Sequence, residues 1–360
     1  MLKYFKNKFG DNFLLIWTYT IIVIGLLALF SASKSVTSKE SFFLKQLIWV
    51  LLGSGLISFL RDIDYRDIKK FSPLLYLLGL FFLFFVLFFG KGAGATRWIR
   101  MGWFHFQPSE FAKLIVVITL SSYFSEKNVK RFSVLLAGLL ILSIPFLCIL
   151  KQPDLGTAFI FIIVFFAIFY QAGGRKIHMF LMIATGVLMS PIFWLFMKEY
   201  QKERILMFLN PMRDPLGKGY NLIQSIITIG SGRMLGKGYL KGTQSKLAFL
   251  PEYHTDFIFC VLAEEFGLIG VIVVLLLYYM LFKAILDIIY STQDSFGRLL
   301  GTGILSMFAS HVFINIGMTL GLFPVVGLPL PFISYGGSSL IVFLISIMLL
   351  VSIKENSLMF

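Results

Sequence analysis

The residues best suited to chemistry are concentrated in one polar segment, residues 198–256, between long apolar stretches. Its first part, residues 198–209, mixes charged and apolar residues in the pattern of a helix lying at a membrane interface. Its middle is rich in glycine and basic residues, namely Gly217, Lys218, Gly219, Gly230, Gly232, Arg233, Gly236, Lys237, Gly238, Lys241, Gly242 and Lys246. Backbone amides freed by glycine, beside Lys and Arg, can bind a diphosphate. A flexible loop attracted to acidic lipid has the same composition, so both interpretations stay open.

Carboxylates also stand at or inside the apolar stretches, where an ionisable group is costly and therefore a candidate for function. Asp256 and Asp154 each directly precede an apolar stretch, so each either caps a helix or faces a site at its end. Glu110 and Lys113 are three residues apart on one helical face and are expected to form an ion pair. Residues 264–265, both glutamates, lie deep in the stretch that follows Asp256; we interpret them as structurally paired, and a substrate role stays open.

The composition of the whole chain indicates whether these residues are positioned in water or in a lipid membrane. Of 360 residues, 58% are hydrophobic and 14% are charged, which excludes an ordinary water-soluble domain. The gaps between apolar stretches are too short for further domains, except residues 198–256, so we expect a single domain over residues 1–360. The net charge of +14 does not indicate nucleic acid, because Lys and Arg lie between apolar stretches. Membrane lipids and an anionic substrate are the expected partners.

Ten stretches are long and apolar enough to cross a membrane, at residues 13–31, 42–60, 73–90, 109–124, 132–150, 155–171, 179–197, 257–281, 299–321 and 338–353. Only helices or closed barrels satisfy the backbone in hydrocarbon, and these stretches lack the alternation of barrel strands. We therefore predict an all-α polytopic membrane protein with about ten transmembrane helices. The large extracytoplasmic loop, residues 198–256, connects the seventh and eighth helices. The first stretch is long enough to span, so we interpret it as an uncleaved anchor and not a signal peptide.

The short loops predict the orientation, because Lys and Arg are enriched on the cytoplasmic side. One side holds the basic N-terminus together with Arg61, Arg66, Lys69, Lys70, Lys127, Lys130, Arg131, Arg175 and Lys176. Its short loops carry about twice as many basic residues as those of the other side, and long segments are weak signals of topology. This side is predicted to be cytoplasmic, and an even number of spans places both termini there.

Arginines outside the membrane are candidates for holding an anion. Arg97, beside Trp98, belongs either to an interfacial belt or to a binding site. Arg204 and Arg213 are better placed than Arg97 to bind a diphosphate, whose oxygens match the fork of a guanidinium group. No His, Cys or carboxylate pair has the spacing of a metal cage, so we expect no resident metal. A magnesium or manganese ion held loosely by the diphosphate itself stays open. The uncharged stretch 321–339 is expected to be extended and partly buried, as a groove wall or a connection.

Five motifs stand in order along nearly the whole chain. They are Arg97-Trp98-Ile99 with Gln107-Pro108-Ser109-Glu110-Phe111-Ala112-Lys113; Gln152-Pro153-Asp154-Leu155-Gly156-Thr157; Asn210-Pro211 with Asp214-Pro215, Gly217, Gly219-Tyr220, Gln224-Ser225, Gly230-Ser231-Gly232 and Gly242-Thr243-Gln244; Leu250-Pro251-Glu252-Tyr253-His254-Thr255-Asp256-Phe257-Ile258-Phe259; and Pro329-Leu330-Pro331-Phe332-Ile333-Ser334-Tyr335-Gly336-Gly337-Ser338-Ser339. In this order they resemble the SEDS family of bacterial shape, elongation, division and sporulation proteins, the RodA and FtsW group. The Gly-Thr-Gln motif is more similar to the RodA elongation branch than to the FtsW division branch. Arg233 and Tyr253 depart from the pattern only locally.

The resemblance implies a peptidoglycan glycosyltransferase of the bacterial cytoplasmic membrane that extends glycan strands from lipid II and releases undecaprenyl diphosphate. Forming a β-1,4 bond from an α-linked diphosphate inverts the sugar carbon, so one carboxylate that deprotonates the acceptor hydroxyl suffices. On this resemblance we assign Asp256 as the general base. Its place at a helix start is expected to lower its pKa and make it a weak base, so a dry or anionic setting is expected to be needed. Substrate contacts are assigned to Glu110, Lys113, Asp154, Arg204, Arg213, Lys237 and Arg97.

Two alternatives from other classes stay open. A lipid II flippase would need the same cavity and lipid groove without chemistry. A non-catalytic scaffold would only position a class B penicillin-binding protein, the transpeptidase partner that the resemblance implies. A flippase would explain the buried charges equally well, whereas a scaffold would not need a carboxylate at a helix mouth beside a basic segment. Synthesis of glycan separates both alternatives from an enzyme.

Overall fold

The computed structural model describes residues 2–34, 41–60, 63–90, 97–101, 104–244, 247 and 249–357. Its α-helices, in chain order, are α1 (Leu2–Ala32), α2 (Phe42–Leu60), α3 (Tyr65–Phe89), α4 (Pro108–Glu126), α5 (Phe132–Lys151), α6 (Leu155–Gln171), α7 (Lys176–Phe196), α8 (Glu199–Leu209), α9 (Tyr220–Ser231), α10 (Ile258–Ser291), α11 (Ser295–Thr319) and α12 (Gly337–Ser357). Every predicted span is occupied by a long helix, and eight of these helices are long and apolar enough to cross a membrane. The other two are α6, with 17 residues, and the charged α4. The predicted all-α polytopic fold is confirmed.

The charged helix α4 lies inside the bundle, where it packs against α3, α5, α6, α11 and α12. Pro108 stands at its first position, where the missing amide hydrogen has no cost. The side chains of Glu110 and Lys113 are buried in protein, which is how ionisable residues are tolerated at membrane depth. By contrast α7 buries none of its residues and lies at the periphery.

The long segment between α7 and α10 is largely structured. Its first part forms α8, as predicted, and a short 3-10 helix, Pro211–Arg213, follows. The helix α9 was not predicted, although Leu222, Ile223, Ile226 and Ile227 have the helical spacing that would have indicated it. A two-stranded antiparallel hairpin, β1 (Ile99–Met101) with β2 (Phe104–Phe106), was also not predicted.

Helix α10 is broken at Gly267, where φ is 64° and ψ is −161°. A break frees backbone groups that would be costly without partners in an apolar environment. Residues 233–238 supply those partners, because two of their amides donate to the carbonyls of residues 264–265 at 3.0 Å each. Two of their carbonyls accept from the amides of residues 268–269, at 2.9 and 3.2 Å. The glycine-rich segment therefore completes a discontinuous helix.

Glycine is required where this segment meets α10. A Cβ on Gly232 would lie 2.0 Å from the Ala263 carbonyl oxygen, and a Cβ on Gly236 would lie 2.1 Å from the Glu265 carbonyl oxygen. Both contacts are shorter than any real side chain tolerates, so these two glycines are explained by packing. The composition of the segment, which by itself indicates a diphosphate site or a flexible loop, does not reveal this packing.

Candidate active site

A polar cavity of about 270 Å³ opens where the first turns of α4 and α6 approach α8 and the start of α10. Four of the five motifs contribute to its lining, together with Arg204 of α8; the lining residues are Arg97, Trp98, Gln107, Glu110, Thr157, Arg204, Glu252, Thr255, Asp256, Val326, Gly327, Pro329, Tyr335, Gly336, Gly337, Ser338 and Ser339. The cavity therefore brings carboxylates and guanidinium groups to one recess. The stretch predicted at 321–339 is partly buried, as expected, and supplies one wall, although its last three residues already belong to α12.

Asp256 is half-buried in the turn that precedes α10. The N-cap of α10 is Phe257, without a side-chain hydrogen bond, so Asp256 does not cap the helix. Among the described residues, none donates a hydrogen bond to the Asp256 carboxylate. A Cβ on Gly327 would lie 3.1 Å from its Oδ2 atom, so a glycine at this position leaves room beside the carboxylate.

The pKa of Asp256 is raised to about 7, mainly because the carboxyl group is withdrawn from bulk water and secondly because the Glu252 carboxylate is close. Arg204 and Arg97 act in the opposite direction but do not prevail. The lowered pKa expected from the helix start is therefore wrong. Burial and a like charge outweigh the partial positive charge of the helix end. A base with a pKa near neutrality is half ionised and still able to take a proton at physiological pH.

This pKa predicts the pH dependence of any reaction that uses Asp256 as a base. The rate at subsaturating substrate is expected to rise about tenfold per pH unit below pH 7 and to level off above it, because only the ionised carboxylate accepts a proton. Initial rates between about pH 5.5 and 8.5 measure this profile. A midpoint near the ordinary aspartate value, or a rate that falls with pH, would contradict the assignment. The same shift makes the folded protein lose stability as pH rises towards 7, because the folded state holds the proton more tightly.

Arg97 and Asp154 lie together at one side of the cavity. The Arg97 guanidinium donates to the Gln152 carbonyl oxygen at 3.0 Å and also to the Pro153 carbonyl oxygen. Its Nη1 lies 4.0 Å from Asp154 Oδ1. Asp154 caps α6, since it accepts from the Thr157 amide at 3.2 Å and from its hydroxyl at 3.0 Å. Asp154 therefore influences the cavity indirectly, through its contact with the Arg97 guanidinium and by capping α6.

Glu110 and Lys113 form the predicted ion pair, with 2.8 Å between Lys113 Nζ and Glu110 Oε1. Lys113 lies beneath the cavity and also contacts His311 Nε2 at 2.8 Å. The second oxygen of Glu110, Oε2, is buried and has no hydrogen-bond partner among the described residues. Because Glu110 lines the cavity, this oxygen can accept a hydrogen bond from a bound hydroxyl.

The three remaining basic candidates, Arg204, Arg213 and Lys237, lie in different environments. Arg204 lines the cavity, its guanidinium lies 5.8 Å from the Tyr200 ring, and no described carboxylate pairs with it. Arg213 is exposed on the short 3-10 helix, outside the cavity lining. Lys237 Nζ donates to Glu264 Oε1 at 2.6 Å, which confirms the structural pairing expected for this glutamate. Arg204 is thus the basic residue of the three that faces the cavity.

An apolar groove of about 790 Å³ lies between α5, α6, α8 and α11. It is lined largely by Phe, Leu and Ile side chains, and the uncharged stretch contributes Phe323 and Pro324. Arg204 and Val326 line both the groove and the polar cavity, so the two meet at these residues. A molecule with a charged headgroup and an apolar chain would fit this arrangement.

Three residues of this region were missed from the sequence. Glu252 lines the cavity, whereas His311 and Asn315 lie behind its wall on α11. The signal for the last two was a polar residue inside an apolar stretch, which at membrane depth indicates function or pairing.

The fold and the site define a polytopic membrane protein whose polar cavity, at one end of the helix bundle, joins an apolar groove. Residues 11–358 match the FtsW, RodA and SpoVE family, described as cell cycle proteins, and the chain belongs to this family. The predicted resemblance is confirmed.

Individual relatives are similar over nearly their whole length. The chain is 38% identical to the peptidoglycan glycosyltransferase MrdB of Escherichia coli K12, over 96% of this chain and 94% of that protein. It is also 38% identical to the probable peptidoglycan glycosyltransferase FtsW of Geobacter sulfurreducens, over 96% of this chain and 95% of that protein. A solved structure of a peptidoglycan synthase complex that coordinates polymerization and crosslinking contains a chain with a TM-score of 0.84 and 29% identity. The match covers 96% of this chain and 97% of that chain.

Proposed function

We propose that this chain is a peptidoglycan glycosyltransferase that polymerises lipid II into glycan strands, with Asp256 as the general base. The observation that carries the proposal is the half-buried Asp256 carboxylate, with a pKa of about 7, in a cavity that also contains Arg204 and meets an apolar groove. Glycosyltransferase activity accords with the names of the relatives. We assign the chain to the elongation branch on its Gly242-Thr243-Gln244 motif.

The chemistry follows from the charges in the cavity. Asp256 takes the proton from the acceptor hydroxyl as the oxygen attacks the anomeric carbon of the donor. The bond from that carbon to the diphosphate breaks on the opposite face, so the configuration is inverted. Undecaprenyl diphosphate leaves with the bonding electrons, and Arg204 and Arg97 stabilise its negative charge. Glu110 Oε2 is positioned to accept a hydrogen bond from a sugar hydroxyl.

The apolar groove supports a lipid-linked substrate. An isoprenoid tail in the groove would place its diphosphate at Arg204, where the groove meets the cavity. We infer that this end of the bundle is extracytoplasmic in the bacterial cytoplasmic membrane and that both termini are cytoplasmic, because the basic short loops lie on the other side. A class B penicillin-binding protein is the proposed partner, since the similar chain belongs to a complex that combines polymerization with crosslinking.

The described residues contain no group of three or more His, Cys, Asp or Glu that could hold a metal ion. A magnesium or manganese ion carried by the diphosphate stays a prediction, because such ions prefer oxygen ligands and keep bound water.

Synthesis of glycan from purified components tests the proposed function. The chain, reconstituted in membranes with its class B partner and given lipid II, is expected to produce a ladder of glycan strands. A flippase would move lipid II across the membrane without forming a ladder. A scaffold would do neither, and a partner preparation lacking this chain serves as the blank.

Arg204 and Arg213 provide a matched pair for testing diphosphate binding. Arg204→Gln is expected to lower kcat/KM by about ten- to a hundredfold, because a charge-assisted hydrogen bond is worth about 1.5–3 kcal/mol. Arg213→Gln removes the same charge from an exposed site outside the cavity and is expected to change it less than twofold. Steady-state kinetics on lipid II measure both. Equal effects of the two substitutions would mean that only the overall positive charge matters.

A further inference from the structure

Among the fully buried polar residues of helix α11 are His311 and Asn315, whose contacts point towards the cavity wall. They are four residues apart, so they lie on one face of the helix. Buried polar groups in a membrane-spanning helix are expensive unless they bond to something specific. Asn315 bonds to the backbone of Asp256, and both side chains bond to the backbone of the cavity wall, at Leu328 and Pro329.

The Asn315 side-chain amide joins two chain segments that are distant in sequence. Its Nδ2 atom donates to the carbonyl oxygen of Asp256 at 2.9 Å and to the carbonyl oxygen of Leu328 at 2.7 Å. An amide nitrogen has two hydrogens, so both are used. Asn315 therefore ties the backbone of the base to the wall segment that begins at Gly327, the residue beside its carboxylate.

His311 binds Pro329, the residue that follows Leu328 in the same wall segment. Its Nδ1 lies 3.0 Å from the Pro329 carbonyl oxygen, and its Nε2 lies 2.8 Å from Lys113 Nζ. A carbonyl only accepts and an ammonium only donates, so Nδ1 carries the proton and Nε2 accepts. Through Lys113, which also pairs with Glu110, the wall is connected to the carboxylate at the other side of the cavity.

We propose that Asn315 is a positioning residue for Asp256 and that His311 assists it by holding the cavity wall. The inference rests on the proposed function, since positioning matters only if Asp256 acts as the base. Loss of the Asn315 amide would leave the carbonyls of Asp256 and Leu328 without this donor and would free the turn to move away from the wall. A displacement of about 1 Å at a reacting group can lower a rate about a hundredfold.

A positioning role differs from a merely structural one in the kinetic constant that it changes. Asn315 lies behind the wall and does not line the cavity, so its loss is expected to leave substrate binding intact. The effect should therefore appear in kcat, with KM nearly unchanged. A loosened turn also admits water to the carboxyl group, so the midpoint of the pH–rate profile is expected to move to lower pH.

The experiment compares Asn315→Leu, which removes both donors at similar size, with Asn315→Ser, which keeps one hydroxyl donor. Ser346→Ala is the control, because Ser346 is fully buried on α12 and its hydroxyl bonds only within its own helix. Glycan synthesis from lipid II, its pH profile and the thermal unfolding midpoint are measured on the full chain with its partner. We expect kcat to fall about ten- to a hundredfold for Asn315→Leu, less for Asn315→Ser, and less than twofold for Ser346→Ala.

Several results would overturn the proposal. A normal kcat in Asn315→Leu, or a change confined to KM, would show that Asn315 is structural only. The same conclusion would follow if Asn315→Leu and Ser346→Ala lost activity equally and in proportion to the fall in their unfolding midpoints. If Asn315→Leu does not fold, Asn315→Ser decides, and a normal kcat and pH profile in that variant refute the role. Failure of the unmodified chain to form glycan would instead refute the proposed function.

Discussion

Replacing Asp256 with asparagine is expected to lower glycan synthesis by about 10²- to 10⁴-fold, the contribution typical of a positioned general base. Asparagine has almost the same shape but cannot accept a proton at neutral pH. Because no described residue donates a hydrogen bond to the Asp256 side chain and it caps no helix, the substitution should leave the folded structure intact. Polymerisation of lipid II by the purified variant and its unfolding midpoint measure the two effects. Asp256→Ala is expected to give the same loss of activity.

Glu252 provides the control for this experiment, because it lines the same cavity and lies in the same turn. Its charge helps to raise the pKa of Asp256. Glu252→Gln is therefore expected to keep activity at neutral pH and to shift the midpoint of the pH–rate profile to lower pH. Normal polymerisation by Asp256→Asn would show that Asp256 is not the base. An equal loss of activity in Asp256→Asn and Glu252→Gln would show that Asp256 contributes only negative charge to the cavity.

Replacing Gly267 with alanine is expected to destabilise the protein by about 3 kcal/mol or more. The backbone at Gly267, with φ of 64° and ψ of −161°, lies in a region that essentially only glycine occupies. A Cβ there would also lie 2.3 Å from the Gly236 amide nitrogen and 2.6 Å from the Met234 carbonyl oxygen. To avoid these contacts, the glycine-rich segment would have to move away from the broken helix α10, and the hydrogen bonds between the two would be lost. The unfolding midpoint of the purified protein measures the loss.

Gly230 is the matched control for Gly267. It lies in α9, in the same polar segment, and a Cβ at this position would have no atom within 4 Å. Gly230→Ala is expected to be neutral or to stabilise the helix by up to about 1 kcal/mol, because alanine is the better helix former. Unchanged stability in Gly267→Ala would mean that α10 is continuous and that the glycines have another purpose.

The arrangement of membrane spans could be predicted because it depends on local composition. A stretch of about 20 apolar residues must be helical in hydrocarbon wherever it lies in the chain. For this reason the ten predicted spans agree with the ten long helices of the described chain. Helix α8 was predictable for the same reason, since its charged and apolar residues alternate within one short segment.

The candidate site was predictable only in part. Asp256, Glu110, Arg97 and Arg204 were named from motifs or from charges beside apolar stretches, and they line one cavity. Lys237 had the same local signal as Arg204, namely a cation among glycines or apolar residues. Its partner, Glu264, lies on α10 at a large separation along the chain, and no local pattern indicates that contact.

By itself, the amino-acid sequence determined that the chain is a polytopic membrane protein, which family it resembles, and which residue types are available for chemistry. Only the tertiary structure decided which of those residues face the cavity, that the glycines complete a broken helix, and that the pKa of Asp256 is raised. The physical reason is one of distance. Secondary structure and membrane insertion depend on neighbours along the chain, whereas burial, hydrogen bonding and the field at a carboxylate depend on neighbours in space.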